Sequence, residues 1–224
     1  MEMVVMKRAL SRLIPWLLGL LALCSIFYFF STRELSVEII IKKTLQKEKK
    51  ITSYYTFLET NINLGGATQS YYVEVWFNSP HFHRVEISSS FPEDGHEPEQ
   101  VFVSDGEKTW IYSPEIEDFY VLSPLTQGLN PPPFLLANFL SSFSEAQDAE
   151  IIGTEQRNGA PCYLLRIIPS SPGRRNAWEK VWLAKRSLLP VKIEIYDSCD
   201  QLQQTIVFHK TVINPEINPD IFKI

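Results

Sequence analysis

The sequence predicts a mainly β protein: one antiparallel sheet of about eleven strands, with a leading helix, an inserted helix and one transmembrane helix before them. Three observations predict this class. From Ile51 onward most of the chain alternates apolar and polar residues with period two. The strand–helix–strand alternation that builds a parallel sheet does not occur. Near the start of the chain, 18 consecutive residues carry no charge.

The uncharged run from Leu13 to Phe30 predicts a membrane-spanning helix. At 1.5 Å per residue it spans roughly 27 Å, close to the hydrocarbon thickness of a bilayer. Lys7, Arg8 and Arg12 precede it, so the positive-inside rule places the N-terminus in the cytoplasm. We therefore expect a cytoplasmic N-terminus (residues 1–12), a transmembrane signal anchor (13–30) and an extracytoplasmic domain (31–224).

Two cleaved forms of the N-terminus remain as alternatives. A cleaved signal peptide has a shorter apolar core and a small-residue cleavage site, which this segment lacks. A lipoprotein signal would place a small residue before its cysteine, whereas Leu23 stands before Cys24. The retained anchor fits the sequence better than either.

Charge and motifs exclude several classes of function. The chain has a formal net charge of −5, and the first 30 residues are basic, so the body is acidic and we expect no nucleic-acid partner. No P-loop, G-x-S-x-G or H-E-x-x-H pattern is present. His81 and His83 point to one face of a strand but lack a third ligand. The sequence therefore predicts no enzyme activity, no catalytic residue, no cofactor and no metal.

The elements of the domain follow in order along the chain. Residues 31–50 have a helical pattern, and "ITSYYTFLETNINL", "GGATQ" and "SYYVEVWFN" form a long hairpin. "FHRVEISSS", the hairpin "VFVSDGEKTWIYSP" and a short strand at 119–122 come next. An inserted amphipathic helix begins at Pro133. Five further strands then lead to the C-terminus. Cys162 and Cys199 fall at opposite ends of the meander in this part, so we expect no disulfide between them.

The hairpin at 101–114 carries apolar residues on both faces, although a half-solvated sheet should alternate. Something must cover its second face, and two interpretations stay open. In one, the helices complete a dry core; in the other, an apolar cavity accepts an acyl chain or an apolar peptide tail. The candidate cavity residues are Val73, Val75, Phe77, Val101, Val103, Trp110 and Tyr112 on the concave face, with Phe134, Leu135 and Phe139 of the inserted helix covering them.

The stretch "VFVSDGEKTWIYSPEIEDFYVL" resembles the signature hairpin of the LolA/LolB-like lipoprotein-carrier superfamily. The resemblance extends to "VWFNSPHFHRVEI", "PPPFLLANFL" and Phe222, and covers most of residues 33–224. It implies an unclosed antiparallel β-barrel whose helices form a lid over a hydrophobic cavity. It also implies a bacterial, non-enzymatic protein that binds lipid or lipoprotein acyl chains outside the cytoplasm.

Two departures from that superfamily matter. Typical carriers have an arginine before the proline that matches Pro80, where it helps to hold the lid; Ser79 stands here, so we expect a less firmly latched lid. Typical carriers are also soluble or lipid-anchored, whereas this chain is expected to be a single-pass protein of the bacterial cell membrane. The alternative function is therefore a membrane-tethered regulatory or sensor module, similar to RseB-like or GerS-like relatives, that binds another extracytoplasmic protein.

Overall fold

The structure is a computed structural model that describes residues 36–91, 97–114, 118–122, 134–136, 139–140, 143 and 145–223. The predicted cytoplasmic segment (1–12) and signal anchor (13–30) lie outside these residues. Within the described part of the chain, no helix is both long enough and apolar enough to cross a bilayer.

The described elements are one α-helix, eleven strands and a C-terminal 3₁₀ helix. In chain order they are α1 (Val37–Glu48), β1 (Ser53–Asn63), β2 (Thr68–Asn78), β3 (Phe82–Ser88), β4 (Gln100–Asp105), β5 (Thr109–Ser113), β6 (Asp118–Leu122), β7 (Asp148–Arg157), β8 (Ala160–Ile168), β9 (Trp178–Ala184), β10 (Pro190–Tyr196), β11 (Leu202–Ile213) and the 3₁₀ helix (Pro219–Phe222).

All eleven strands belong to one antiparallel sheet in the order β6-β5-β4-β3-β2-β1-β11-β10-β9-β8-β7. The first and last strands of the chain's β region, β1 and β11, are neighbours at the centre. Strands β6 and β7 form the two edges, so the sheet is not closed. The predicted mainly β class, the strand number and the unclosed antiparallel sheet are confirmed.

Two turns show why the sequence forms tight hairpins. At the β4–β5 turn, Gly106 has φ +92°, and the Asp105 carboxylate accepts the backbone N–H groups of Glu107 and Lys108, both at 2.8 Å. At the β7–β8 turn, Asn158 and Gly159 have φ +49° and +74°. Positive φ at both central residues is typical of the two-residue hairpin turn for which Asn-Gly is favoured.

The leading helix is confirmed over α1, and its buried side is narrow. Ile40 and Thr44 are buried, and the Thr44 hydroxyl donates to the Ile40 carbonyl at 2.9 Å. Lys47 reaches the turn after β9, where its ammonium donates to the carbonyls of Arg186 and Ser187 at 3.0 and 2.9 Å. The inserted helix predicted from Pro133 lies in a segment that is described only in part.

The cysteine prediction is confirmed. Cys162 lies near the start of β8, opposite Ala184, whereas Cys199 follows the far end of β10. Both cysteines are free; Cys162 is buried and Cys199 is exposed.

Candidate ligand pocket on the inner face

The strand register divides the sheet into two faces. We call inner the face that carries the buried apolar side chains of the central strands: Tyr54, Leu58, Val73, Val75, Val85, Leu165, Val181 and Ile193. The opposite, outer face carries Tyr55, Trp76 and Arg84. Because side chains alternate along a strand, directly opposed residues in an antiparallel pair lie on the same face.

At one end of the sheet the inner face is a dry core. Val73, Val75 and Val85 are completely buried, and Phe77 stacks on Tyr54 with ring centroids 5.0 Å apart. The described residues of the inserted segment pack onto this region, since the backbone N–H of Leu136 donates to the Tyr54 hydroxyl at 3.1 Å. We call the described residues of this segment (134–136, 139–140 and 143) the lid, and its side chains Leu135, Leu136, Phe139, Leu140 and Phe143 are buried.

At the other end the inner face opens into a pocket of about 380 Å³. This volume is within the range of about 300–1,000 Å³ that is typical of small-molecule sites. The pocket wall is formed by the ends of β1 to β5 together with one lid residue. Its lining residues are Thr60, Ile62, Tyr71, Ile87, Glu99, Gln100, Ser113 and Phe134.

The pocket combines apolar walls with a polar rim. Ile62, Ile87 and Phe134 supply the apolar surface, and none of the three is fully buried. Thr60 is buried, and its hydroxyl accepts the Gln204 amide at 2.8 Å, so this polar group is satisfied within the wall. Tyr71, Gln100 and Ser113 bring hydroxyl and amide groups to the lining. The site can therefore bury an apolar chain and hydrogen-bond a polar group at its end.

The predicted cavity residues divide among the dry core, the pocket and the outer face. Val73 and Val75 lie in the dry core, as do the lid residues Leu135 and Phe139, and Phe77 is half-buried against Tyr54. Phe134 lines the pocket. The predicted pairings of Val101 with Tyr112 and of Val103 with Trp110 are confirmed.

The expectation that those four residues share the concave face with Val73, Val75 and Phe77 is wrong. Val85 lies opposite Val75 on β2 and opposite Phe102 on β4, so Phe102 shares the inner face. Val101 and Val103, one residue either side of Phe102, therefore point to the outer face, and Trp110 and Tyr112 go with them. The hairpin thus contributes Phe102 and Ile111 to the inner face instead.

The C-terminus covers the outer face of this region. The 3₁₀ helix lies against β3 and β4, where Phe222 is buried and its ring centroid is 5.9 Å from that of Phe82. Arg84 donates to the Ile221 carbonyl at 3.2 Å and forms an ion pair with Glu86 at 2.6 Å. Val101 and Val103 are buried on this side. A layer of protein therefore explains why the β4–β5 hairpin is apolar on both faces.

Two ionisable groups on the inner face have perturbed pKa values. Burial lowers the pKa of His83, and its Nε2 atom has no hydrogen-bond partner among the described residues. Burial raises the pKa of Glu179, which accepts the Asn176 amide at 3.1 Å. Neither residue belongs to a metal site, because the described residues contain no group of three or more His, Cys, Asp or Glu placed to hold an ion.

Sequence reasoning missed most of the pocket lining. Only Phe134 was predicted, whereas Thr60, Ile62, Tyr71, Ile87, Glu99, Gln100 and Ser113 were not. One signal in the sequence could have found them, namely the alternation of side chains between the two faces of a strand. Tyr71 and Val73 are two apart on one strand, so they share a face, and the β1–β2 turn fixes Thr60 opposite Tyr71.

Comparison with known proteins places the chain in a family and shows which solved structures its fold resembles. The resemblance predicted from the sequence is confirmed at the level of the fold. A family model described as an uncharacterized protein matches residues 90–214, more than half of the chain, and the chain belongs to that family. No curated protein sequence matches it.

Solved structures that are similar to this chain have low sequence identity to it. An uncharacterized conserved protein from Thermus thermophilus has a TM-score of 0.55 and 10% identity, covering 81% of this chain and 91% of that one. Lipoprotein LppX from Mycobacterium tuberculosis has a TM-score of 0.51 and 15% identity, with coverage of 81% and 97%. A LolA superfamily protein from Nitrosomonas europaea has a TM-score of 0.41 and 12% identity, with coverage of 85% and 98%. At these identities the likeness concerns the fold alone.

Proposed function

We propose that the domain binds, without chemical change, one acyl chain of a lipid or lipoprotein in the inner-face pocket. The observation that carries this proposal is a pocket of about 380 Å³ that is walled by Ile62, Ile87 and Phe134 and has polar groups at its rim. An apolar chain that buries about eight methylenes gains on the order of 6 kcal/mol before the costs of binding. The resemblance of residues 101–122 to the signature hairpin of the LolA/LolB-like carriers implies binding of acyl chains, and it supports the proposal.

We propose further that residues 13–30 anchor the domain to the bacterial cell membrane, with residues 1–12 in the cytoplasm and residues 31–224 outside. The uncharged run and its basic flank support this arrangement. The intact mass of the protein extracted from membranes tests it. A full-length mass is expected, whereas a mature chain that begins near Ala22 or at a lipidated Cys24 would contradict the anchor.

Titration with N-phenylnaphthylamine, an uncharged apolar fluorophore, tests the pocket. Ile87→Asp places a carboxylate in the pocket wall, where the side chain is half-buried and water can reach it. We expect this variant to fold and to lose probe binding. Ile152→Asp makes the same change at an isoleucine of edge strand β7 that is 43% exposed, and should bind the probe like the wild type. Equal binding by the wild type and Ile87→Asp would refute the pocket assignment.

A second candidate function is docking of another extracytoplasmic protein, and edge strand β6 favours it. Tyr120 and Val121 of this strand are 57% and 47% exposed. An exposed apolar edge strand can pair with an extended segment of a partner. Cross-linking in membranes followed by purification distinguishes the two functions. A one-to-one complex that Val121→Lys abolishes would support docking, and its absence would leave lipid binding alone.

A further inference from the structure

We infer that one exposed side of α1 docks on the anionic surface of the bilayer to which the domain is anchored. We call this side, formed by Ile39, Lys42, Lys43 and Gln46, the lysine face. The inference rests on the anchor that is part of the proposed function. It concerns the surface that the domain presents to lipid head groups, whereas the pocket concerns an acyl chain.

The lysine face is a single stripe along the solvent-exposed side of α1. Lys42 and Lys43 stand three and four residues after Ile39, and Gln46 stands three and four residues after them, so the four share one side of the helix. All four are exposed. The buried residues of α1, Ile40 and Thr44, lie on another side. The lysine face is therefore open to solvent.

Positive charge is concentrated in α1 and the two residues after it. Residues 37–50 contain five lysines and two glutamates, whereas residues 51–144 contain two basic and twelve acidic side chains, and residues 145–224 contain ten of each. No carboxylate of the described residues forms an ion pair with Lys42 or Lys43. An anionic surface therefore attracts α1 and repels residues 51–144, which selects the side on which the domain docks.

Ile39 adds an apolar residue to the lysine face. It is 44% exposed, although isoleucine is among the residues most often buried. Helices that lie on membranes combine lysines with apolar side chains that enter the head-group region. The combination of Ile39 with Lys42 and Lys43 favours a lipid surface over a partner that is recognised by charge alone.

The proposed anchor keeps α1 close to the bilayer. Phe30 ends the uncharged run, and Val37 begins α1. The seven residue steps between them span at most about 25 Å, because an extended chain advances about 3.6 Å per residue. Anionic head groups are therefore within reach of the lysine face at all times, whereas a soluble acidic partner must diffuse to it.

Thiol labelling of the full chain in lipid nanodiscs tests the inference. Gln46→Cys places a thiol in the lysine face, and a polyethylene-glycol maleimide labels exposed thiols. The two bilayers are phosphatidylcholine alone and phosphatidylcholine with an equal amount of anionic phosphatidylglycerol. Labelling of Gln46→Cys should be at least about fivefold slower in the anionic discs at about 0.05 M salt, and the difference should shrink at about 0.5 M salt. Exposed Cys199, read separately by peptide mapping, should label equally in both.

Charge variants of the Gln46→Cys chain show whether the lysines cause the difference. Lys42→Gln/Lys43→Gln should abolish it, because each lysine near an anionic surface shifts the docking equilibrium by about fivefold. Arg174→Gln/Arg175→Gln removes the same charge from the exposed connection between β8 and β9, and should leave the difference unchanged.

The outcomes separate docking from anchoring. If both kinds of disc retain the chain during gel filtration but Gln46→Cys labels at the same rate in both, docking is wrong and the anchor stands. A difference that the double lysine variant keeps, or that the double arginine variant loses, also refutes docking by the lysine face. If only the anionic discs retain the chain, the anchor is wrong and docking stands; if neither does, both are wrong.

Discussion

Val73 on β2 lies directly opposite Ile87 on β3 with both side chains on the inner face, yet Val73 is completely buried while Ile87 lines the pocket. The boundary between the dry core and the pocket therefore passes between these two residues. The inner face thus has a packed apolar part and an open part, and binding of an apolar chain in the open part stays a prediction.

A carboxylate introduced into the dry core should destabilise the domain far more than one introduced into the pocket wall. Val75→Asp buries a carboxylate among Val73 and Val85 without a partner, and we expect it to cost at least about 4 kcal/mol and to unfold the domain. Ile87→Asp should change the free energy of unfolding far less, because water reaches the pocket. Urea denaturation of both variants measures the difference. Equal destabilisation would show that the pocket wall is part of the dry core.

The C-terminal 3₁₀ helix should contribute to the stability of the β3–β4 region. Phe222→Ala removes the buried ring that contacts Phe82 and uncovers the outer face near Val101 and Val103. We expect a loss of about 3 kcal/mol in the free energy of unfolding, by analogy with core Phe→Ala changes. Ile221→Ala is the matched control, because its contact to Arg84 uses the backbone carbonyl, which the substitution retains. If Phe222→Ala matches the wild type, the terminus does not form this layer.

Much of the fold could be predicted from the sequence because its determinants are local. The Asp105–Gly106 turn fixed the pairing of β4 with β5, and the alternation of residues gave the strands. The sequence did not predict which side chains of β4 lie on the same face of the sheet as the buried side chains of β2. Residues 89–99 separate β3 from β4, and the length of this connection sets no parity. Cover of the outer face by Phe222 depends on a contact with Phe82, far away in the chain. The pocket is the space left between sheet and lid, which residue patterns do not encode.

His83 should make the domain sensitive to acid. Burial lowers its pKa in the folded state below the ordinary value of 6.5, so the unfolded chain takes up the proton first as the pH falls. Its contribution to stability is complete above about pH 6.5 and is lost as the pH falls through the folded-state pKa. We expect His83→Gln to show a smaller loss of stability than the wild type between about pH 7.5 and pH 5. His81→Gln, at an exposed histidine of the preceding turn, should follow the wild-type profile.

The two domain cysteines should differ in their reactivity towards iodoacetamide. Cys199 is exposed and free, whereas Cys162 is buried, and burial raises the pKa of its thiol. Because the thiolate is the reactive form, the native protein should label at Cys199, and Cys162 should label only after unfolding. Peptide mapping by mass spectrometry reads both sites. Rapid native labelling of Cys162 would show that β8 is not packed as described, and a linked Cys162–Cys199 peptide would contradict the register of β8 to β10.

Native mass spectrometry of the full-length protein extracted from membranes tests directly whether the pocket holds a lipid. We expect the wild-type chain to carry one lipid-sized adduct in the pocket lined by Ile87, and Ile87→Asp, but not Ile152→Asp, to lack it. A wild-type spectrum that shows only the bare chain, or an adduct that Ile87→Asp retains, would contradict this expectation.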